Sequence, residues 1–260
     1  MKVLVSDVCD FHNLLNAIFL VFSIILFIFL LPTLWLFNIL RFYFKSMYPE
    51  ELAGKVILIT GASAGIGEHL AMEYAKEGAC LALVARREKE LEIVAQNAKA
   101  MGSPNVIAIS ADVSKLHDCN RFVDQTIKHF GKLDYLITNA AIVTFGFFED
   151  QTCVPDDHAS IMNVNFWGSV FTIHFALPHL QRNQGKIIAI CSCGDWFGTP
   201  RVSVYNASKA ALRSFLETLK MELGSKTEIT IVTPGLVNTR LIDHEWVKKV
   251  YIFNFNHLTL

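Results

Sequence analysis

Residues 55–87, "KVILITGASAGIGEHLAMEYAKEGACLALVARR", decide the fold. An apolar run, KVILIT (55–60), ends at a turn holding Gly61, Gly65 and Gly67. A helix-length amphipathic stretch (65–77) follows, and then a second apolar run, CLALVA (80–85). Near-continuous apolar strands separated by helices imply a parallel sheet covered on both faces, because a half-exposed strand would alternate apolar with polar. The rhythm continues down the chain. VIAIS (106–110), LDYLIT (133–138), KIIAI (186–190) and EITIVT (228–233) read as strands, and 87–101, 114–130, 157–182 and 204–223 as helices. The fold class is therefore α/β, a doubly wound parallel sheet that binds ligands outside the carboxyl ends of its strands.

Upstream of this domain (47–260) lies a different kind of segment (1–46). From Leu14 to Leu40 the chain runs 27 residues without a charge. A bilayer core of ~30 Å needs about 20 apolar residues, so the run is long enough to span. It is too long for a cleaved signal peptide, and no small-residue cleavage site follows. Pro32 interrupts it after 18 residues, which leaves a kinked span and a hairpin as alternatives. Lys2 before the run, and Arg41 and Lys45 after it, favour a cytosolic C-terminal domain. Net charge is −1, which provides no basic field for nucleic acid. The six cysteines form no C-x-x-C pair and read as reduced and structural. The nine histidines lack ligand spacing, so no metal is expected.

The glycine turn joins the first strand to the first helix. Glycines there permit a tight turn and close approach to a pyrophosphate, and the helix start offers free N–H groups and a positive dipole end. The second strand ends at Arg86 and Arg87, where a site preferring NAD would place an acid. A guanidinium can fork onto a 2′-phosphate, so NADP(H) is expected over NAD; the alternative is a solvated helix N-terminus. Farther on, Tyr205 and Lys209 stand four apart in SVYNASKAAL (203–212), on one face of a helix. They are either two surface residues or an acid whose pKa a neighbouring cation lowers.

With these stretches in view, the chain resembles the short-chain dehydrogenase/reductase family from residue 54 to about 240. TGASAGIG (60–67) is similar to the family's cofactor turn, ADV (111–113) to its adenine-side motif, and TNAA (138–141) to an N-A-G motif with Ala141 where glycine is usual. NVNFWGSVF (163–171) carries the active-site asparagine, and PGLVNT (234–239) resembles the segment over the nicotinamide. Ser192 lies thirteen residues before Tyr205. The resemblance implies a Rossmann fold that moves a hydride between a nicotinamide and an oxygen-bearing carbon. It makes Asn165, Ser192, Tyr205 and Lys209 catalytic. Tyr205 is the proton donor, its pKa lowered by Lys209, and Asn165 holds a relay water. Gly61, Ser63, Ala64, Gly65, Ile66, Gly67, Arg86, Arg87, Asp112, Val113, Asn139, Ala140, Pro234, Gly235, Val237 and Thr239 bind cofactor together with Tyr205 and Lys209. Dimerisation through 157–182 and 204–223 is implied in the same way. The apolar anchor adds a resemblance to 11β-hydroxysteroid dehydrogenases and to plant steroleosins of oil bodies.

Val143, Phe145, Phe147 and Phe148 follow one strand, and Trp196 and Phe197 follow Ser192. They read either as an apolar wall for a sterol-like alcohol or ketone, with Ser192, Trp196 and Tyr205 touching it, or as packing beneath a loop. Only 21 residues follow Thr239, with VYIFNF (250–255) as a candidate strand. That spacing is too short for a lid, a helix and a last strand, so the sheet is expected to lack them and leave a raw edge. Two functions result. One is a membrane-anchored NADP(H) oxidoreductase at the endoplasmic reticulum or lipid droplet. The other is a non-catalytic nucleotide- or lipid-binding protein of those surfaces, or an inactive truncated isoform.

Overall fold

A computed structural model of the chain describes residues 2–47, 50–149 and 155–237. They belong to two compact units, Met1–Glu51 and Leu52–Leu260. The first is a single helix, α1 (Lys2–Met47). Its section Leu15–Leu40 has a mean hydropathy of 2.8 and buries nothing inside the protein. At 1.5 Å per residue its 26 residues reach about 39 Å, enough to cross a bilayer core. α1 runs through Pro32 unbroken. Proline removes one helical N–H, and the next residue reinforces the weakened turn: the Thr33 hydroxyl donates to the carbonyls of Phe29 (3.1 Å) and Leu30 (2.9 Å).

The second unit alternates strand and helix: β1 (Val56–Thr60), α2 (Gly65–Lys76), β2 (Cys80–Ala85), α3 (Glu88–Ala100), β3 (Val106–Ser110), α4 (Leu116–Phe130), β4 (Tyr135–Thr138), α5 (Pro155–Met162), α6 (Gly168–Arg182), β5 (Lys186–Ile190), α7 (Ser203–Leu223) and β6 (Glu228–Val232). All strand pairs are parallel, in the order β3-β2-β1-β4-β5-β6. The chain works outward from β1 to β3 and then restarts at β4 on the other side. The strand order therefore reverses between β1 and β4, and a crevice opens above their carboxyl ends.

Apolar packing holds both faces. Ile57, Ile59, Leu81 and Leu83 point towards α2 and α3, meeting Ala71, Ala75, Leu91 and Val94. Leu58, Val84 and Leu136 point the other way, onto Phe122, Ile173, Leu180, Leu212 and Leu216 of α4, α6 and α7. Strands β3 and β6 are the two edges of the sheet among the described residues, and β6 is exposed at every second position.

The helix expected over 157–182 is three pieces. Between α5 and α6 the segment Asn163–Trp167 is a π-turn. It turns Asn165 fully inward, and Gly168 just beyond it lies so close to Val113 that a Cβ there would sit 2.8 Å from that side chain. Thr239, the candidate strand 250–255 and the rest of the tail lie outside the described residues.

Candidate active site

The crevice starts at the glycine turn. Gly61 (φ +67°) and Gly65 (φ +63°) occupy the left-handed region that L side chains avoid. A Cβ on Gly61 would lie 2.7 Å from Ala140 Cα, and one on Gly67 2.5 Å from the Gly61 carbonyl oxygen and 2.6 Å from Asn139 Nδ2. Asn139 fastens this turn to the end of β4. Its Nδ2 donates to the carbonyls of Thr60 (2.9 Å) and Gly61 (3.2 Å), and its backbone N–H donates to Thr60 Oγ1 (3.0 Å). Helix α2 starts after Ala64 with no side-chain cap, so its first N–H groups are left for a ligand. Ser63, Ala64, Gly65 and Ile66 line the cavity above them. Gly67 does not; it is buried, and its missing side chain lets helix and strand close together.

The far wall carries the cations. Arg87 is exposed but anchored, with Nε and Nη2 donating to Ser63 Oγ (3.3 and 3.0 Å). Arg86 is exposed and makes no side-chain hydrogen bond or ion pair with the described residues. Asp112 uses one carboxylate oxygen to hold Ser114 through its N–H (3.0 Å) and hydroxyl (2.8 Å). Burial raises the Asp118 carboxyl, but the hydrogen bonds from the Asp112 N–H and Arg121 outweigh it and hold the carboxyl below its ordinary value; Asp118 Oδ2 accepts the Asp112 N–H at 2.8 Å.

Across the cavity stand Ser192, Tyr205 and Lys209. Ser192 ends the extended stretch after β5 and opens a 3₁₀ turn, Cys193–Asp195, its Oγ accepting from Gly194 N–H (3.2 Å). Tyr205 and Lys209 project from the first turns of α7, one turn apart. Lys209 is 1% exposed, and its ammonium donates to the Ile190 carbonyl at 2.9 Å. Complete burial pushes it down to about 8 from 10.5. Burial also raises the Tyr205 phenol above its ordinary value, outweighing a hydrogen bond with Ser192 that lowers it. The depression of the phenol by Lys209 expected from the sequence is therefore not seen here; the ammonium lies 5.9 Å from the ring centre, tied to backbone.

The Asn165 side chain is fully buried: Oδ1 accepts from Ile142 N–H (2.8 Å), and Nδ2 donates to the Ile142 carbonyl and Ser208 Oγ (both 3.0 Å). It pins the loop after β4 to α7.

The cavity measures about 410 Å³. Asp112, Val113, Asn139, Ala140, Val143, Phe145, Pro234, Gly235 and Val237 line it as the sequence suggests. Trp196 does not; its ring stacks on the Arg213 guanidinium, 4.0 Å away, outside the wall. Phe147, Phe148 and Phe197 also lie off the wall, Phe147 beneath the Arg201 guanidinium at 4.3 Å. Reading along the sequence misses Ile142, Thr199, Val202 and Asn206, which do line the cavity. For Asn206 the clue is Gly194, where any Cβ would collide with Asn206 Oδ1. The cysteine reading is corrected at one position. Cys119 and Cys191 are buried thiols, pushed up to about 11 mainly by burial, whereas Cys193 is exposed on the cavity wall.

Lys209 makes stability depend on pH. Its folded value lies below the unfolded one, so between about 8 and 10.5 the unfolded chain binds more protons. The penalty of burying the charge is complete below pH 8 and fades as pH rises to 10.5. Lys209→Met abolishes this dependence. Denaturant titrations in detergent should show the variant's stability relative to wild type falling by up to about 3 kcal/mol across that window. Parallel pH curves for the two proteins would contradict the assignment.

The turn that any Cβ would fill, the uncapped helix start and the two arginines fit a dinucleotide phosphate. Comparison with known proteins points the same way. Residues 55–249 match the family model for short chain dehydrogenases. An Arabidopsis thaliana protein named 11-beta-hydroxysteroid dehydrogenase 1A is 50% identical over 232 residues, covering 89% of this chain and 65% of the relative. A Sesamum indicum 11-beta-hydroxysteroid dehydrogenase A is 45% identical over 230 residues, covering 88% and 66%. The chain thus spans about two thirds of the length of these relatives. Among solved structures, an alcohol dehydrogenase from the archaeon Thermococcus sibiricus, complexed with 5-hydroxy-NADP, aligns with a TM-score of 0.67 at 30% identity, covering 71% of this chain and 77% of that one. A short-chain dehydrogenase/reductase from Burkholderia phymatum in complex with NAD aligns at 0.71 and 29% identity, covering 76% and 72%.

Proposed function

The chain belongs to the short-chain dehydrogenase family, and from that premise we propose a membrane-anchored, NADP(H)-dependent oxidoreductase that interconverts alcohol and ketone on a lipophilic, hydroxysteroid-like substrate. The observation carrying this reading is a single cavity in which Ser192, Tyr205 and Lys209 face the glycine turn. A nicotinamide dinucleotide bound there supplies or accepts the hydride at the substrate carbon. The protein supplies the proton and the geometry. In reduction the Tyr205 hydroxyl donates to the oxygen of the forming alcohol, and Ser192 holds that oxygen and its developing charge. Lys209 keeps two donors beyond the one spent on Ile190, enough to hold ribose hydroxyls and stabilise a phenolate once Tyr205 has given up its proton. Asn165 positions the loop at Ile142, one wall of the cavity.

Arg87, held ready by Ser63, and Arg86, unpaired among the described residues, support NADP(H) over NAD(H). Replacing both with alanine should weaken NADPH binding by tenfold or more and leave NADH binding within about threefold. A wild-type chain that binds NADH more tightly than NADPH would reject the preference. Ile142, Val143, Phe145 and Val202 in the wall support a lipophilic substrate, in line with the hydroxysteroid names of the relatives. The apolar helix supports residence at the endoplasmic reticulum or lipid-droplet surface with the catalytic unit cytosolic, and extraction of membranes at alkaline pH should leave the chain in the pellet.

The deciding measurement uses the full chain in detergent: melting temperature with and without NADPH, and NADPH oxidation against a panel of keto-steroids. Cofactor stabilisation with turnover is expected. Stabilisation without turnover would replace the enzyme with a nucleotide-binding surface protein.

A further inference from the structure

Among the described residues two side chains other than glycine sit on left-handed backbone, those of Gln184 (φ +51°) and Arg201 (φ +70°). Gln184 follows the C-cap of α6, where a left-handed residue commonly closes a helix. Arg201 has no such reason, because it stands two residues before α7 begins. A bulky residue keeps a backbone this rare only where its surroundings hold it, and such residues gather at ligand clamps.

What holds Arg201 is the loop after β4. Its carbonyl accepts the Gly146 N–H at 3.0 Å, and its guanidinium lies over the Phe147 ring, 4.3 Å from the centre. The loop is thus pinned at two points, by Asn165 at Ile142 and by Arg201 at Gly146. Val143 and Phe145 lie between the pins, and both line the cavity. The stretch that carries Arg201 lines it too, through Thr199 and Val202, and Asn206 Nδ2 ties that stretch to α7 by donating to the Thr199 carbonyl (3.4 Å). Arg201 itself is outside the wall. It fastens one pair of wall residues to the other.

We propose that Arg201 is a positioning residue for substrate size: its clasp on Gly146 and Phe147 fixes Val143 and Phe145 against Thr199 and Val202, so that the cavity favours a broad, rigid ketone of steroid size over a small one. This rests on the oxidoreductase reading above and adds how that substrate is selected. A broad apolar ligand touches both pairs of wall residues at once, whereas a small ring ketone needs only one. With the clasp gone the two pairs are free to part, and the larger ligand loses contacts that the smaller never made.

The test compares a keto-steroid with cyclohexanone on the full chain in detergent with NADPH. Arg201→Gly suits the left-handed backbone, so the fold is kept while the guanidinium is lost. It is expected to raise KM for the keto-steroid about tenfold, to change kcat by less than about threefold, and to lower the steroid-to-cyclohexanone ratio of kcat/KM about tenfold. Arg201→Lys keeps a cation for the ring and should hold that ratio within about threefold of wild type. Equal losses for the two ketones, as a purely structural role predicts, or a ratio that Arg201→Gly leaves in place, would overturn the proposal. Should Arg201→Gly fail to fold, Phe147→Leu removes the other half of the clasp, and the ratio must fall in the same way. If wild type turns over neither ketone, the oxidoreductase reading fails, and equilibrium dialysis of tritiated keto-steroid against the chain with NADPH still decides the clasp. Binding about tenfold weaker in Arg201→Gly supports it; equal binding in the two proteins, or none in wild type, overturns it.

Discussion

Tyr205→Phe will reduce keto-steroids at least about a hundredfold more slowly than wild type, and it will bind NADPH with an unchanged Kd. A positioned general acid contributes on the order of 10²–10⁴ to a rate. Here the substitution deletes one oxygen together with its hydrogen bond to Ser192. Helix α7 keeps its fold, because its anchors elsewhere are the Lys209–Ile190 bond and the Leu212 and Leu216 contacts with the sheet. Ser192 remains to bind the substrate oxygen but has no strong acid behind it. Steady-state rates with a keto-steroid and fluorescence titration with NADPH check the two halves separately. Residual activity within tenfold of wild type would mean that the proton comes from elsewhere. Loss of NADPH binding would mean that the tyrosine is chiefly a cofactor ligand.

Gly67→Val will abolish measurable NADPH binding and lower the melting temperature. Even the first added carbon would meet the Gly61 carbonyl oxygen and Asn139 Nδ2, both too close for any real contact. Neither neighbour can give way cheaply. The carbonyl belongs to the turn itself, and Asn139 is committed to two hydrogen bonds that close that turn. A branched side chain therefore opens the turn and tilts the start of α2, the two features that shape the phosphate site. Overpacking of this kind typically costs about 1–3 kcal/mol of stability. Gly198→Ala is the matched control, since a Cβ there meets nothing within 4 Å. Calorimetry of both variants with NADPH should separate them; comparable affinity in the Gly67 variant would show that the turn is not the phosphate seat.

Much of the fold was legible because its determinants are local and repetitive. Strands such as VILIT and YLIT are buried throughout, so apolar runs alone located them and their parallel pairing. The glycine turn was readable because steric exclusion singles out one residue type. Side-chain direction was not. Trp196 is four residues from Ser192, yet distance along the chain could not reveal that its ring turns away to cover Arg213. Asn165 stands out in the sequence only through its motif, since its partners Ile142 and Ser208 are brought to it by tertiary packing. The phenol's environment was misjudged for a related reason: spacing places a lysine near a tyrosine but does not report how dry the site is, and burial proved the stronger influence.

The π-turn between α5 and α6 has a consequence for how the gene can change. It holds a surplus residue relative to an ordinary helix, and the wide turn absorbs that residue locally, so α5 and α6 keep the phase of one continuous helix. Deleting one codon within 163–167 would restore ordinary winding and leave Ile173, Ala176 and Leu180 on the sheet. What it would remove is the bulge that carries Asn165 to Ile142 and Ser208. A shortened reading frame at this spot therefore spares the core and costs the loop that Asn165 pins.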